Sequence, residues 1–186
     1  MRIATIILFV LVFSNYASAQ AGDSTVVVSG KQYSFSIHIP GGWKCESGSE
    51  SWTGADAILF PRSAHKGNIM WGNPDAWITI GIAGKQSVGD STLTALRKFY
   101  ESIDAQEGNQ ITPLNTLSTK DGKTVLMNNK RGKNSFGAMA FIEDSSSVVV
   151  FELRRFDEPN FNDAFPKFKQ MIESFQALTV QPKEAK

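Results

Sequence analysis

Tyr33-Ser34-Phe35-Ser36-Ile37-His38-Ile39-Pro40-Gly41-Gly42-Trp43 alternates apolar and polar side chains with period two and then breaks. Phe35, Ile37 and Ile39 fall on one face and Ser34, Ser36 and His38 on the other, the pattern of a strand with one side buried. Pro40 cannot donate to a sheet ladder and the glycines after it permit positive φ, so the chain must leave the sheet sharply there. Trp43 has the area to fold back over the sheet edge and close a core. His38, on the polar side, reads as a strand residue facing water.

Working outward, Thr25 to Ser29 is a short β-branched strand. Lys44 to Asp75 is rich in glycine, serine and asparagine and carries one clear strand candidate, Ala57 to Phe60. Trp77 to Ile82 sets Ile78, Ile80 and Ile82 on one face, as expected of a central strand. Asp90 or Ser91 can cap the helix that follows, in which Leu93, Leu96, Tyr100 and Ile103, with Phe99 beside them, form an apolar stripe ended by Gly108. Ile111 to Ser118, Val125 to Lys130, Phe136 to Ile142 and Val148 to Arg154 are joined by short polar turns, which predicts a β-meander. A last helix is expected from about Asp163 to Phe175, with Phe165, Phe168, Ile172 and Phe175, and Phe161 before them, against the sheet. Pro166 fits that helix only in its first turn, where its missing N–H would have no partner. The fold class is α+β, an antiparallel, meander-rich sheet with helices packed on its faces.

The run Phe35 to Trp43 is similar to the opening of the PsbP-like and DcrB-like domains, a strand followed by Ile-Pro and Gly-Trp. Phe168-Lys169-Gln170-Met171-Ile172-Glu173-Ser174-Phe175 resembles their C-terminal helix with its Ser-Phe end, and the order of elements between the two matches. The resemblance spans about Thr25 to Val180. It implies a PsbP-like αβα sandwich and an accessory role outside the cytoplasm or in an organelle rather than enzymatic activity. No catalytic residue carries over, and neither does a photosystem role, because the leader is secretory and no photosystem-binding motif matches.

That leader is residues 1–19: Arg2, an apolar run from Ile3 to Phe13 broken by Thr5, and Ala17-Ser18-Ala19 as the cleavage pattern. Eleven apolar residues rise only about 16 Å as a helix against a hydrocarbon core of about 30 Å, so a cleaved signal peptide is expected rather than an anchor. No later stretch is apolar enough to span a bilayer. Residues 20–182 then form one domain and 183–186 a loose tail, in a secreted or periplasmic protein. The whole chain of 186 residues is 41% hydrophobic and 20% charged, which suits a globular domain rather than a disordered one. Without Arg2 the charges balance at 18 basic and 18 acidic residues, so neither nucleic acid nor an anionic membrane is favoured. Cys45 is the one cysteine, so the domain has no internal disulfide. It reads as a small buried apolar residue, with an exposed thiol able to pair with another chain as the alternative.

Chemistry-bearing motifs are sparse. The chain has no Gly-x-Ser-x-Gly elbow, His-Glu-x-x-His, Cys-x-x-Cys or phosphate-binding Gly-x-x-x-x-Gly-Lys. Cys45 with His38 is the single nucleophile-and-base couple, and it lacks an orienting group. The two histidines, His38 and His65, have no metal-ligand spacing and the aspartates are scattered, so no metal or cofactor is expected. Trp52, His65, Lys66, Asn68, Met70, Trp71 and Asn73 lie among glycines in the 46–75 segment, where aromatic loop residues can contact a partner or tuck beneath their own loop. Lys130-Arg131-Gly132-Lys133 and Arg154-Arg155 form either a basic patch or ordinary solvated turns. Together these features point to an exported, non-catalytic accessory protein, a monomer or weak homodimer, that engages another envelope or secreted protein through its sheet and the 46–75 segment. The alternatives are a carrier of a small hydrophobic or carbohydrate ligand and, last, an unrecognised hydrolase.

Overall fold

A computed structural model of the chain describes residues 24–30, 33–47, 55–62, 77–84, 93–133, 135–144, 147–155 and 158–179. The leader expected over 1–19, the caps Asp90 and Ser91 and the tail over 183–186 lie outside the described residues. β1 (Ser24–Ser29) and β2 (Ser34–Ile39) pair antiparallel along their whole length, and β11 (Gln176–Ala177) adds to the other side of β2. A larger antiparallel sheet runs in the order β3 (Trp43–Ser47), β4 (Ala57–Pro61), β5 (Trp77–Gly84), β10 (Ser147–Arg155), β9 (Phe136–Glu143), β8 (Thr124–Arg131), β6 (Gln110–Pro113). β7 (Leu117–Ser118) also pairs with β8. The meander expected from the short turns is β8–β9–β10, and β5 lies inside the sheet between β4 and β10.

Strand alternation separates two cores. On one face Val125, Met127, Ala138, Ala140, Ile142, Val149, Phe151, Leu153, Ile78 and Ile80 meet helix α2 (Glu158–Glu173) and the inner residues Val28, Phe35, Ile37 and Ile39 of the small sheet. Phe161, Phe168, Met171 and Ile172 supply the helix side, and Phe175, just past its end, stacks on Phe35 with ring centroids 5.0 Å apart. Each such fully buried large side chain contributes roughly 1.5–3 kcal/mol. Helix α1 (Leu93–Gln106) covers the opposite face, placing Leu96 on Met139, Phe141, Val148 and Val150. The layers are therefore α1, the large sheet, and α2 with the small sheet.

Several expected boundaries move. Trp43–Ser47 is a strand, β3, inside the stretch that reads as irregular beyond Ala57 to Phe60; Gly42 turns the chain at φ 83° and Trp43 enters the core at its first position. Ile111 to Ser118 is not one strand. It splits into β6 and β7, because pairing with β8 lapses between Pro113 and Leu117, where only Leu114 N–H still donates to the Met127 carbonyl, at 2.9 Å. α2 starts at Glu158, five residues early, so Pro166 sits inside the helix rather than in its first turn. Pro159 takes the first-turn place instead and Glu158 suits the helix dipole there. The missing N–H of Pro166 costs one bond on an exposed position, while the buried face of Phe161, Ala164, Phe168 and Ile172 carries the helix through it.

Asp56 joins the two sheets. β4 pairs with β5 only as far as Ala57 opposite Ile80, and the Asp56 carboxylate accepts the next free amide, Ile82 N–H, at 2.8 Å. Its other oxygen accepts the Tyr33 hydroxyl at 2.9 Å from the start of the small sheet. Burial, then Asp56, pushes the Tyr33 phenol up to about 12.

Candidate interaction surface

The seating of α1 decides which of its side chains are presented. Leu96 is 2% exposed, Leu93 and Tyr100 pack beside it, and the Tyr100 ring lies 5.7 Å from Phe141. A seat made only of apolar residues would place Ile103 next in line. Instead Asp104 is buried, at 4% exposure, and Ile103 and Phe99 stand out at 37% and 52%. This corrects the stripe expected from sequence, in which Ile103 faces the core.

The cause is a charged cluster at the C-terminal end of the helix. Lys130 of β8 places its ammonium 2.5 Å from Asp104 and 3.1 Å from Glu152 of β10, and Arg154 reaches the same Glu152 oxygen at 2.8 Å. Lys130 and Glu152 lie on strands separated by β9, on which Gly137 pairs with both Lys130 and Arg154 and Met139 pairs with Glu152. A Cβ at 137 would sit 2.8 Å from the Leu153 carbonyl oxygen, so glycine lets β9 and β10 keep this approach, while the Lys130 stem lies at ordinary contact distance, 3.8 Å. On the neighbouring flank Glu101 accepts from Asn128 Nδ2 and pairs with Arg97, each at 3.0 Å. The helix closes in a Schellman turn: Gly108 at φ 79°, its N–H to Ala105 and Asn109 N–H to Asp104, both 3.0 Å. At 100° per residue, Phe99 and Ile103 lie on the flank opposite Arg97 and Glu101. They are one turn apart and form a short exposed apolar ridge.

The titrating groups beside α1 are paired with one another. Burial would lower the Lys130 pKa, but its hydrogen bond to the Asp104 carboxylate and the charge of Glu152 outweigh it and raise it, so this lysine is held as an ammonium. The basic residues named from sequence are partly spent on acids: Lys130 as above, Arg154 on Glu152, and Arg131 on Glu158 at 3.4 Å. The side chain of Arg155 lies outside the described residues. Cys45 is half-buried and packs against the main core, while His38 is exposed on the outer side of β2. Burial, then the Glu46 charge, pushes the Cys45 thiol up to about 11. Its thiolate is therefore scarce at neutral pH, the reverse of an activated nucleophile. Iodoacetamide should label Cys45 at least ~30-fold more slowly at pH 8 than it labels a free cysteine, rising up to about pH 11; labelling as fast as the free amino acid would contradict this.

Trp52, His65, Lys66, Asn68, Met70, Trp71 and Asn73 lie outside the described residues. Among the described residues, no three His, Cys, Asp or Glu side chains come together as metal ligands, and no helix is long and apolar enough to cross a membrane. Asp104, Glu152 and Asn128, which set the α1 surface, carry only a faint sequence signal: Asp104 falls one turn after Tyr100, on the line of the apolar stripe.

No protein-family model matches the chain, and no curated protein matches it. Solved structures do. Cyanobacterial PsbP (CyanoP) from Synechocystis sp. PCC 6803 aligns with a TM-score of 0.55 over 87% of this chain and 96% of that one, at 16% identity. The fold is PsbP-like. The same PsbP-like fold is found in the Saccharomyces cerevisiae Ran-binding protein Mog1p, with TM-score 0.53, 10% identity, 84% of this chain and 96% of that one. It is found again in LpqN, involved in cell envelope biogenesis of Mycobacterium tuberculosis, with TM-score 0.53, 13% identity, 84% of this chain and 92% of that one. At these identities the likeness is one of fold, in agreement with the αβα sandwich that the Phe35 to Trp43 and Phe168 to Phe175 runs imply.

Proposed function

We propose that the protein is an exported, non-catalytic accessory protein that binds another envelope or secreted protein, with the Phe99–Ile103 ridge of α1 at the centre of the contact. The observation that carries this reading is the exposure of an aromatic and a branched aliphatic side chain one turn apart on a helix whose orientation is held by buried charges. Such anchors dominate protein interfaces when a polar rim surrounds them, and Lys98, Ser102 and Gln106 supply one here. The Ran-binding name of one structure with this fold, and the cell-envelope role of another, support a binding role outside catalysis. Trp52 and Trp71 of the 46–75 segment are assigned to the same partner.

The test is affinity capture by protein beginning at Gln20 from envelope and secreted fractions, compared with a Phe99→Ser, Ile103→Ser variant and a Trp52→Ala, Trp71→Ala variant. Losing two anchors should weaken capture of a specific protein by about 30-fold or more. The melting temperature should stay nearly unchanged for the helix variant, because both residues are exposed. A specific partner held equally by the wild type and both variants would reject the assigned surface.

A further inference from the structure

The lapse in pairing between β6 and β7 leaves a groove. Leu114, Leu117, Met127 of β8 and Phe165 of α2 wall it, Asn115 and Lys169 stand at its rim, and its volume is about 150 Å³. Leu114, Leu117 and Phe165 are each only partly buried, so the apolar walls are open at one side. An enclosed apolar cavity of about this volume holds one benzene ring, and this groove, open along one side, offers walls to one such ring. Met127 adds a wall that adapts its shape without a change of backbone. Lys169 is half-buried beside these walls and has no carboxylate partner among the described residues, unlike Lys123, Lys130 and Lys167, which pair with Asp144, Asp104 and Asp163.

We infer that this groove is a binding site for a small apolar carboxylate, its single ring or short branched tail lying between Leu114, Leu117, Met127 and Phe165 and its anionic head on Lys169. The walls select the tail and the Lys169 ammonium selects the charge. A neutral molecule would leave Lys169 with no ligand partner, and a hydrophilic anion such as acetate would leave the walls wet. The site is on the face of the large sheet opposite α1, so it stands independently of the protein contact proposed above.

The probe is phenylacetate, titrated into the intact protein from Gln20 while methyl NMR signals of Leu114, Leu117 and Met127 are followed. Benzyl alcohol and acetate are the controls. Ten heavy atoms in a shallow site suggest a dissociation constant of about 1 mM. Saturable shifts confined to those three residues are expected with phenylacetate, and at least fivefold weaker binding with benzyl alcohol, with acetate and with phenylacetate on Lys169→Gln. The Lys169→Gln protein should keep its melting temperature and its benzyl alcohol affinity. Equal affinity for phenylacetate and benzyl alcohol, or no effect of Lys169→Gln, would overturn the inference. So would a peptide ending in phenylalanine that occupies the same groove more than a hundredfold tighter than phenylacetate, since the occupant would then be a protein terminus.

Discussion

Phe175→Ala is expected to destabilise the fold by about 3–5 kcal/mol. The ring is fully buried and lies where three elements meet: it stacks on Phe35 of the small sheet, stands edge-on to Phe151 of the large sheet at 6.3 Å, and follows directly from α2. Removing it leaves a cavity bounded by three elements that pair with different neighbours, so the walls have little freedom to collapse. Urea denaturation at neutral pH reads the loss directly. A double-mutant cycle with Phe35→Leu should show coupling of about 0.5–1.5 kcal/mol, since the two rings touch. A loss below about 1.5 kcal/mol would mean that the small sheet and α2 are not held together at this point.

Lys130→Met should cost a similar amount, about 3–5 kcal/mol, for an electrostatic reason. Methionine keeps the length and apolar stem but leaves Asp104 buried at the end of α1 without its cation, while Glu152 retains Arg154. Replacing the partner as well, Asp104→Leu with Lys130→Met, should recover most of the loss, because a buried pair exchanged for apolar residues is often close to neutral. Failure to recover would place the cost in packing around Gly137 instead. The wild-type pair also has a pH signature. Since the folded pKa of Lys130 is raised above its ordinary 10.5, its stabilisation is complete below that value and is lost as pH rises through the folded pKa. Lys130→Met should lack this step on the alkaline side, where the wild type loses stability.

The strands were legible wherever burial is one-sided and local. Phe35, Ile37 and Ile39 alternate with serine and histidine, and the turns between Val125 and Arg154 are too short for anything but antiparallel neighbours. β3 carries the same signal in short form, since Trp43-Lys44-Cys45-Glu46 alternates, but glycines on either side mask it. The candidate surface was half legible. Phe99 and Ile103 stand out in the helix pattern, yet their outward orientation depends on Asp104 finding Lys130, a partner from a strand distant in sequence that also reaches Glu152 across β9. The start of α2 is a similar case: a proline in the middle reads as a boundary until the buried face on both sides of it is known to pack.

The small sheet joins the first described strands to the last. Ser36 pairs with Gln176, Leu178 N–H donates to the Ser34 carbonyl at 2.8 Å, and the Asp121 carboxylate holds the Ala177 amide at 3.0 Å. During synthesis, then, everything up to α2 can emerge before β2 meets β11, and Phe175 arrives after every strand of the large sheet. A growing chain cannot seal its main core by local contacts, and closing so long a loop is slow. Until Phe175 and β11 arrive, the small sheet lacks one of its strands and the aromatic junction between the two sheets stays incomplete.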